Sequence, residues 1–368
     1  MATKKKVLFI TGTRADYGLL KPVVRHMLAS PKLEPSFLVT GIHTLKKFGL
    51  TLNEIKKDKM PIADVVQVLE KDSMLQSLNK EIVGIGKYCA SSRPDYIFVL
   101  GDRDEAFAGA VAGLHLNIPI IHFSGGDVSG PSVDHYLRNA ITVFSKFHFV
   151  QTEQARKNVI RLGAKPKLTF VAGSLGLNGL QPLKMATREV IAKKLDLDKN
   201  KRWFLVSMHP TPFDPVSTKG QIDPLIDLLK TLDGEKVIIY PNSDTGATYF
   251  IKKINSISRK SNIHIYPNLI MADYLCLMKN CDVFIGNSSS GLTEAGFLKT
   301  PFINIGNRQS GREAGANVIP SGYDQASIRK AINTVFSKKF KDKLKKTKPI
   351  YTGGNVAERV VKTIESIT

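Results

Sequence analysis

Three consecutive serines, Ser288, Ser289 and Ser290, follow an apolar run from Cys281 to Ile285 and precede Gly291 and Glu294. The run reads as a buried strand that stops at Gly286, and the segment beyond it can be helical. A strand that passes through a small-residue turn into a helix directs several backbone N–H groups and the positive end of the helix dipole at one point, which suits an anion. Serine hydroxyls add donors, and Gly291 lets a ligand approach the backbone. Glu294, expected one turn into the helix, would repel a phosphate but can accept from the two hydroxyls of a ribose. The chemistry expected here is binding of a nucleotide's ribose and phosphates. An ordinary serine-rich helix cap is the competing reading.

Other polar clusters also follow apolar runs. Thr11-Gly12-Thr13-Arg14-Ala15-Asp16-Tyr17-Gly18 comes after the first run, and Gly101-Asp102-Arg103-Asp104-Glu105 after Val99-Leu100. Ser124-Gly125-Gly126-Asp127, Ser207-Met208-His209-Pro210-Thr211 and Tyr240-Pro241-Asn242-Ser243-Asp244 follow three more. The first cluster is not G-x-G-x-x-G, so a dinucleotide site is not indicated. Ligands of doubly wound sheets bind at the carboxyl ends of the strands, where these clusters fall.

The elements that must position them are short strands alternating with helical periodicity. Strands are expected at Val7–Thr11, Phe37–Thr40, Tyr96–Leu100, Ile118–Phe123, His148–Gln151, Leu168–Val171, Trp203–Ser207, Lys236–Tyr240, Ile263–Tyr266, Val283–Ile285 and Phe302–Ile305. Runs rich in Val, Ile and Phe without alternation are buried on both faces, which means parallel sheets with crossover helices. Eleven strands suit two doubly wound α/β domains facing a cleft better than one sheet. The glycine-rich stretch from Ala172 to Pro182 marks the joint. The expected division is residues 1–175, completed by a terminal helix within 352–368, and residues 176–351. Val356, Val360, Val361 and Ile364 form one face of that last helix, which Asn355 is placed to cap.

The chain has 368 residues, 42% of them hydrophobic, and a net charge of +21. Its lysines are spread through helical segments, with a dense run from Lys338 to Lys348, and no zinc or RNA motif accompanies them. A phosphate-bearing small substrate and a generally basic surface account for the charge, and a nucleic-acid partner is not expected. Lys4-Lys5-Lys6 before Val7-Leu8-Phe9-Ile10 imitates a leader, but the apolar run is short and reads as a first strand. No membrane insertion is expected. Cys89, Cys276 and Cys281 form no metal-like or redox pair, consistent with a cytoplasmic protein.

The motifs together resemble the UDP-N-acetylglucosamine 2-epimerase family, in its hydrolysing branch. The resemblance spans nearly the whole chain. It rests on Gly12 to Gly18, Gly101-Asp102-Arg103, Gly125-Gly126-Asp127, Arg138-Asn139-Ala140-Ile141-Thr142, His209-Pro210, Pro241-Asn242 with Asp244, Gly286 to Gly291 with Glu294, and Asn304 to Arg312. It departs at Ser124, Asp127, His135 and Asn139, all in the sugar-proximal loop that the resemblance implies. The implied fold resembles the two-domain GT-B glycosyltransferases, with the last helix returning to the first domain.

The implied reaction is hydrolytic release of UDP from UDP-N-acetylglucosamine with inversion at C2, giving N-acetylmannosamine for sialic-acid-like sugars. UDP- or GDP-2,4-diacetamido-2,4,6-trideoxyglucose is the alternative substrate. By the same resemblance Arg14, His209, Ser288, Ser289 and Ser290 hold the diphosphate, Glu294 the ribose, and Arg308 closes on the nucleotide. Asn242 supports the site, and Arg312 is a further binding candidate. Asp102 and Asp134 are the acid–base candidates, with Asp127 a third, and His209 is counted with the catalytic group. No metal and no cofactor is expected, and a homo-oligomer, dimer or tetramer, is. Other readings stay open at several positions: a helix cap for Asp102 or Asp134, a turn residue for Asp127, a structural histidine for His209, and a surface residue for Arg14 or Arg312. A glycosyltransferase of the same architecture and a binder without turnover remain as alternative functions.

Overall fold

The computed structural model describes residues 3–128, 133–178, 180, 185–241 and 245–367. These fall into two compact units, one of residues 3–128, 133–180 and 353–367, the other of residues 185–352.

The first unit is built on a seven-stranded parallel sheet of order β3-β2-β1-β4-β5-β6-β7. Its strands are β1 (Lys5–Thr11), β2 (Leu33–Val39), β3 (Ile62–Val65), β4 (Tyr96–Leu100), β5 (Ile120–Phe123), β6 (Phe147–Val150) and β7 (Thr169–Val171). The second unit carries a six-stranded parallel sheet of β8 (Trp203–Ser207), β9 (Glu235–Ile239), β10 (Ile263–Tyr266), β11 (Val283–Gly286), β12 (Phe302–Ile305) and β13 (Val318–Ser321), in the order β10-β9-β8-β11-β12-β13.

Both faces of each sheet are covered, which is why the strands read as unbroken apolar runs. Val7 and Phe9 of β1 enter one core cluster, while Leu8 and Ile10 enter another. Trp203 and Leu205 of β8 divide from Phe204 and Val206 in the same way. The C-terminal helix Val356–Ile367 belongs to the first unit: Val356, Val360 and Ile364 pack with Leu20, Val24 and Val7. Arg359 ties it to the Ala172 carbonyl at 2.7 Å.

All eleven expected strands are present, with ends shifted by a few residues. The two that the sequence reading lacked, β3 and β13, are edge strands. β13 contains Pro320, which an edge tolerates because no outer neighbour needs its missing N–H. Among the described residues, no helix is long and apolar enough to cross a membrane.

The strand order reverses between β1 and β4 in the first sheet and between β8 and β11 in the second. Such reversals open a crevice at the strands' carboxyl ends. Thr11-Gly12 and Gly101-Asp102 lie at one reversal, and Ser207-Met208-His209 and Gly286-Asn287-Ser288 at the other.

Candidate active site

In the second unit, β11 and β8 come into close contact where they end. Gly286 has φ +148°, and a Cβ there would collide with the Ser207 carbonyl. This contact brings the next residue, Asn287, against the end of β8. Asn287 is fully buried. Its Oδ1 accepts from the His209 backbone N–H at 2.7 Å and its Nδ2 donates to the His209 carbonyl at 2.8 Å. Its own carbonyl accepts from Arg308 Nη1 at 3.2 Å and Gln309 Nε2 at 2.8 Å. One residue therefore fixes the His209 backbone through its side-chain amide and the Arg308 loop through its main-chain carbonyl.

The serine turn is shorter than the sequence reading supposed. Ser289–Gly291 is a single 3-10 turn, and the helix that follows is the five-residue Glu294–Leu298. Glu294 is its first residue rather than one turn in. So short a helix adds little dipole, which leaves hydroxyls and backbone N–H groups as the main anion donors. Ser288 precedes the turn without capping it through its side chain. Its hydroxyl lies 2.9 Å from that of Ser290, which is 2.7 Å from the Tyr274 hydroxyl. Burial raises the Tyr274 pKa, so the phenol stays protonated and can donate to the serine pair. The Thr293 hydroxyl donates to the Glu294 carboxylate. Arg312 is half-buried, and its Nε has no hydrogen-bond partner among the described residues. Asn242 lies outside the described residues.

In the first unit, Arg14 opens the helix Arg14–Leu28, which Thr13 and Asp16 cap reciprocally. The Asp16 carboxylate also accepts from the Gly12 N–H at 3.1 Å and the Thr11 hydroxyl at 2.6 Å, so it shapes the whole loop. Burial, set against the Thr11 hydrogen bond, pushes Asp16 up to about 6. Arg14 itself is 69% exposed and pairs with Glu54 at 3.1 Å.

Asp102, at the end of β4, does not cap the next helix, whose N-cap is Arg103. It is ion-paired instead with Arg138, which is only 4% exposed. Arg138 Nη1 also donates to the Asp127 carbonyl at 2.9 Å. Asp127 is buried, and its Oδ2 accepts from Gln151 Nε2 at 2.9 Å. Gln151 donates as well to the Ser124 hydroxyl at 3.2 Å, and Ser124 sits at φ +66°. A left-handed non-glycine residue costs about 1–2 kcal/mol, the kind of strain that gathers at functional loops.

Four residues beyond Arg138 on the same helix, Val133–Phe144, Thr142 meets His122 Nδ1 at 3.2 Å. Burial holds His122 down at about 3, so it is neutral, and its Nε2–H donates to the Gly101 carbonyl at 2.8 Å. One helix face therefore fixes Gly101, Asp102 and Asp127. Asp134 lies exposed in the first turn of that helix. His135 follows, its Nε2 accepting from the Asn139 amide at 3.2 Å. The structure gathers Asp102 and Asp127 around Arg138, and His209, Ser288 and Arg308 around Asn287. Sequence reasoning gave no role to Arg138, Asn287, Asp16 or Gln151. The signal that was available for Arg138 is its spacing: four residues after Asp134 and four before Thr142, a single face of a helix. Among the described residues no group of His, Cys, Asp and Glu is arranged to hold a metal ion.

The profile of the family described as UDP-N-acetylglucosamine 2-epimerase matches residues 25–365. The chain belongs to this family. A 2-epimerase-family relative from Legionella pneumophila, UDP-N,N'-diacetylbacillosamine 2-epimerase (hydrolyzing), is 34% identical, covering 99% of this chain and 96% of its own length. The polysialic acid biosynthesis protein P7 of Escherichia coli is 33% identical, covering 91% and 87%. In fold, the chain is similar to the UDP-GlcNAc 2-epimerase of Neisseria meningitidis solved with UDP-GlcNAc bound, with a TM-score of 0.83 at 18% identity, covering 98% of this chain and all of that one. The fold is thus that of the 2-epimerase family, two parallel-sheet α/β domains of GT-B type with a helical C-terminus.

Proposed function

We propose that this 2-epimerase-family enzyme hydrolyses a UDP-2-acetamido sugar, releasing UDP and inverting C2. The observation that carries the proposal is the Asp102–Arg138–Asp127 arrangement, with Asp102 at the strand-order reversal of the first sheet and Asp127 after the neighbouring strand β5. It supplies carboxylates held in place at the position where a doubly wound sheet presents a ligand. A base takes the C2 proton, the C1–O bond to the diphosphate breaks, and a C1=C2 glycal forms. Water then adds at C1, and a proton returns to C2 on the opposite face, leaving a free sugar with inverted C2. The C2 proton is weakly acidic, so a positioned base contributes about 10²–10⁴-fold. Asp102, Asp134 and Asp127 are the proposed acid–base group.

The second unit supplies the proposed nucleotide end. Ser288, Ser289, Ser290 and His209 take the diphosphate, Glu294 takes the ribose, and Arg308 and Arg312 bind on the nucleotide side; Arg14 is a further proposed phosphate ligand. Donors fixed in advance stabilise the charge that grows on the leaving diphosphate without reorganising.

Two sugars fit this chemistry. The 34% identity to a protein named for N,N'-diacetylbacillosamine, over nearly the full length of both chains, favours the 2,4-diacetamido-2,4,6-trideoxy sugar. The relative named for polysialic acid biosynthesis supports UDP-N-acetylglucosamine with N-acetylmannosamine as product. Incubation of each UDP-sugar in heavy water is the test. Free UDP and a C2-deuterated, C2-inverted sugar are expected. UDP release only on adding an acceptor would assign glycosyl transfer instead, and binding without release would exclude turnover.

We also propose a cytoplasmic homo-oligomer. Three buried free cysteines support the compartment. Neighbouring helices Met74–Ser92, Asp104–His115 and Val133–Phe144 carry exposed Leu75, Val83, Leu114, Tyr136 and Val143, which supports association. Light scattering that gave a monomer mass would remove that part.

A further inference from the structure

The helix Lys338–Lys346 divides cleanly into two sides. Phe340 and Leu344 are buried in the core of the second unit, whereas Lys338, Lys339, Lys341, Lys343, Lys345 and Lys346 are all exposed, as is Lys348 just beyond. Between Gln325 and Lys348 nine side chains are cationic, and a single one, Asp342, is acidic. Elsewhere in the same unit lysines sit on carboxylates: Lys194 on Asp273, Lys230 on Asp227 and Lys253 on Asp223. Among the described residues none of the seven lysines from Lys338 to Lys348 forms an ion pair.

The patch extends beyond the helix. Arg202 lies over the Phe336 ring with its guanidinium carbon 4.4 Å from the centroid, and Lys341 approaches the same ring at 5.6 Å. Exposed Lys299 donates to the Lys345 carbonyl at 2.7 Å, which places a further cation beside the helix. Like charges repel, so a dense unpaired set lowers the stability of the surface that carries it unless an external anion offsets it.

From this we infer that the face formed by Lys338–Lys348, Lys299 and Arg202 docks the enzyme on an anionic lipid surface, by electrostatic attraction and without insertion. The composition favours lipid over nucleic acid. Eight of the face's nine cations are lysines, compact point charges without the planar fork that reads phosphates and bases, and the one fork, Arg202, is laid on the Phe336 ring. Phe340 is buried and the half-buried Phe336 ring is covered by Arg202 and Lys341, so neither ring is open for base stacking. A headgroup layer asks only for closely spaced positive charge. The exposed side carries no large apolar residue, which excludes a helix embedded at the interface. None of these side chains belongs to the proposed active site, so the inference is independent of the assigned reaction.

The test is co-sedimentation of the full chain with phosphatidylcholine vesicles, with and without phosphatidylglycerol. Binding to the anionic vesicles only is expected, falling at least tenfold when the ionic strength is raised from about 0.1 M to about 1 M. The variant K338E/K341E/K345E should lose at least tenfold in vesicle binding while its unfolding temperature and its turnover without vesicles stay unchanged. A control of equal charge change, K56E/K57E/K157E, should retain most binding. Equal loss in the control would show that net charge alone acts, and would overturn the inference. Binding to neutral vesicles would do the same. Tighter retention on a duplex RNA oligonucleotide at equal salt would assign the face to nucleic acid. Slower turnover of the triple variant without vesicles would assign it to substrate capture.

Discussion

Arg138 and Asp102 are ion-paired although they come from different elements, a helix and a strand end, and Arg138 spends its other terminal nitrogen on the Asp127 carbonyl. The guanidinium is buried, so it is a fixed positive charge beside one proposed acid–base carboxylate and a clamp on the loop that carries another. Asp102→Asn is expected to lower turnover about tenfold or more with UDP still bound, reaching about 10²–10⁴-fold where the whole acid–base contribution is lost. Arg138→Gln should do likewise, with Arg138→Lys intermediate because an ammonium cannot reach both partners. Residues that act as a unit are not additive, so the double variant D102N/R138Q should be little slower than either single one. Multiplying losses in kcat would show that the two act separately.

Asn287 predicts a different signature. Its amide makes two hydrogen bonds to one backbone, and an aspartate there can only accept. Asn287→Ala is expected to destabilise by about 1–3 kcal/mol, with weaker UDP binding, because the His209 groups lose a buried partner. Asn287→Asp should be at least as destabilising and recover none of the binding, because it buries a carboxylate with one oxygen facing the His209 carbonyl. Thermal unfolding and titration calorimetry with UDP read the two effects separately. An Asn287→Ala protein with full UDP affinity would detach the hub from the site.

The Glu294 proposal is tested through the ribose. Glu294→Ala should weaken UDP by about 1–3 kcal/mol, the worth of one or two charged hydrogen bonds. It should also reduce the preference for UDP over its 2'-deoxy analogue. Unchanged affinity and preference would move Glu294 out of the site.

The strands were legible because burial on both faces leaves a continuous apolar run, as in Val7 to Ile10 and Trp203 to Val206. The edges were not: β3 is short and half-buried, and Pro320 interrupts β13. Site residues that follow a strand, such as Asp102 and Ser288, announce themselves by position. Arg138 and Asn287 did not, because their roles depend on which backbone they reach across the fold, and that distance is invisible along the chain. The serine turn misled in one respect. Small residues mark where a helix can begin, but nothing in Leu292 to Leu298 fixes how far it runs. It ends where Lys299 turns left-handed at φ +57°.

Glu81 makes the stability of the fold depend on pH. Glu81 is 2% exposed, and burial first, then the nearby Glu105 charge, push its carboxyl up from 4.5 to about 8, against a hydrogen bond from Thr40. The folded chain therefore keeps a proton that the unfolded chain releases. The contribution is complete below the unfolded value and is lost as pH rises through about 8, at up to about 1.4 kcal/mol per unit of displacement. Stability from this group should decline between pH 4.5 and 8. Glu81→Gln, which cannot ionise, should flatten that decline and leave the protein more stable than the parent above pH 8. Denaturant unfolding at several pH values decides it. Parallel curves for parent and variant would mean that Glu81 carries the same charge folded and unfolded.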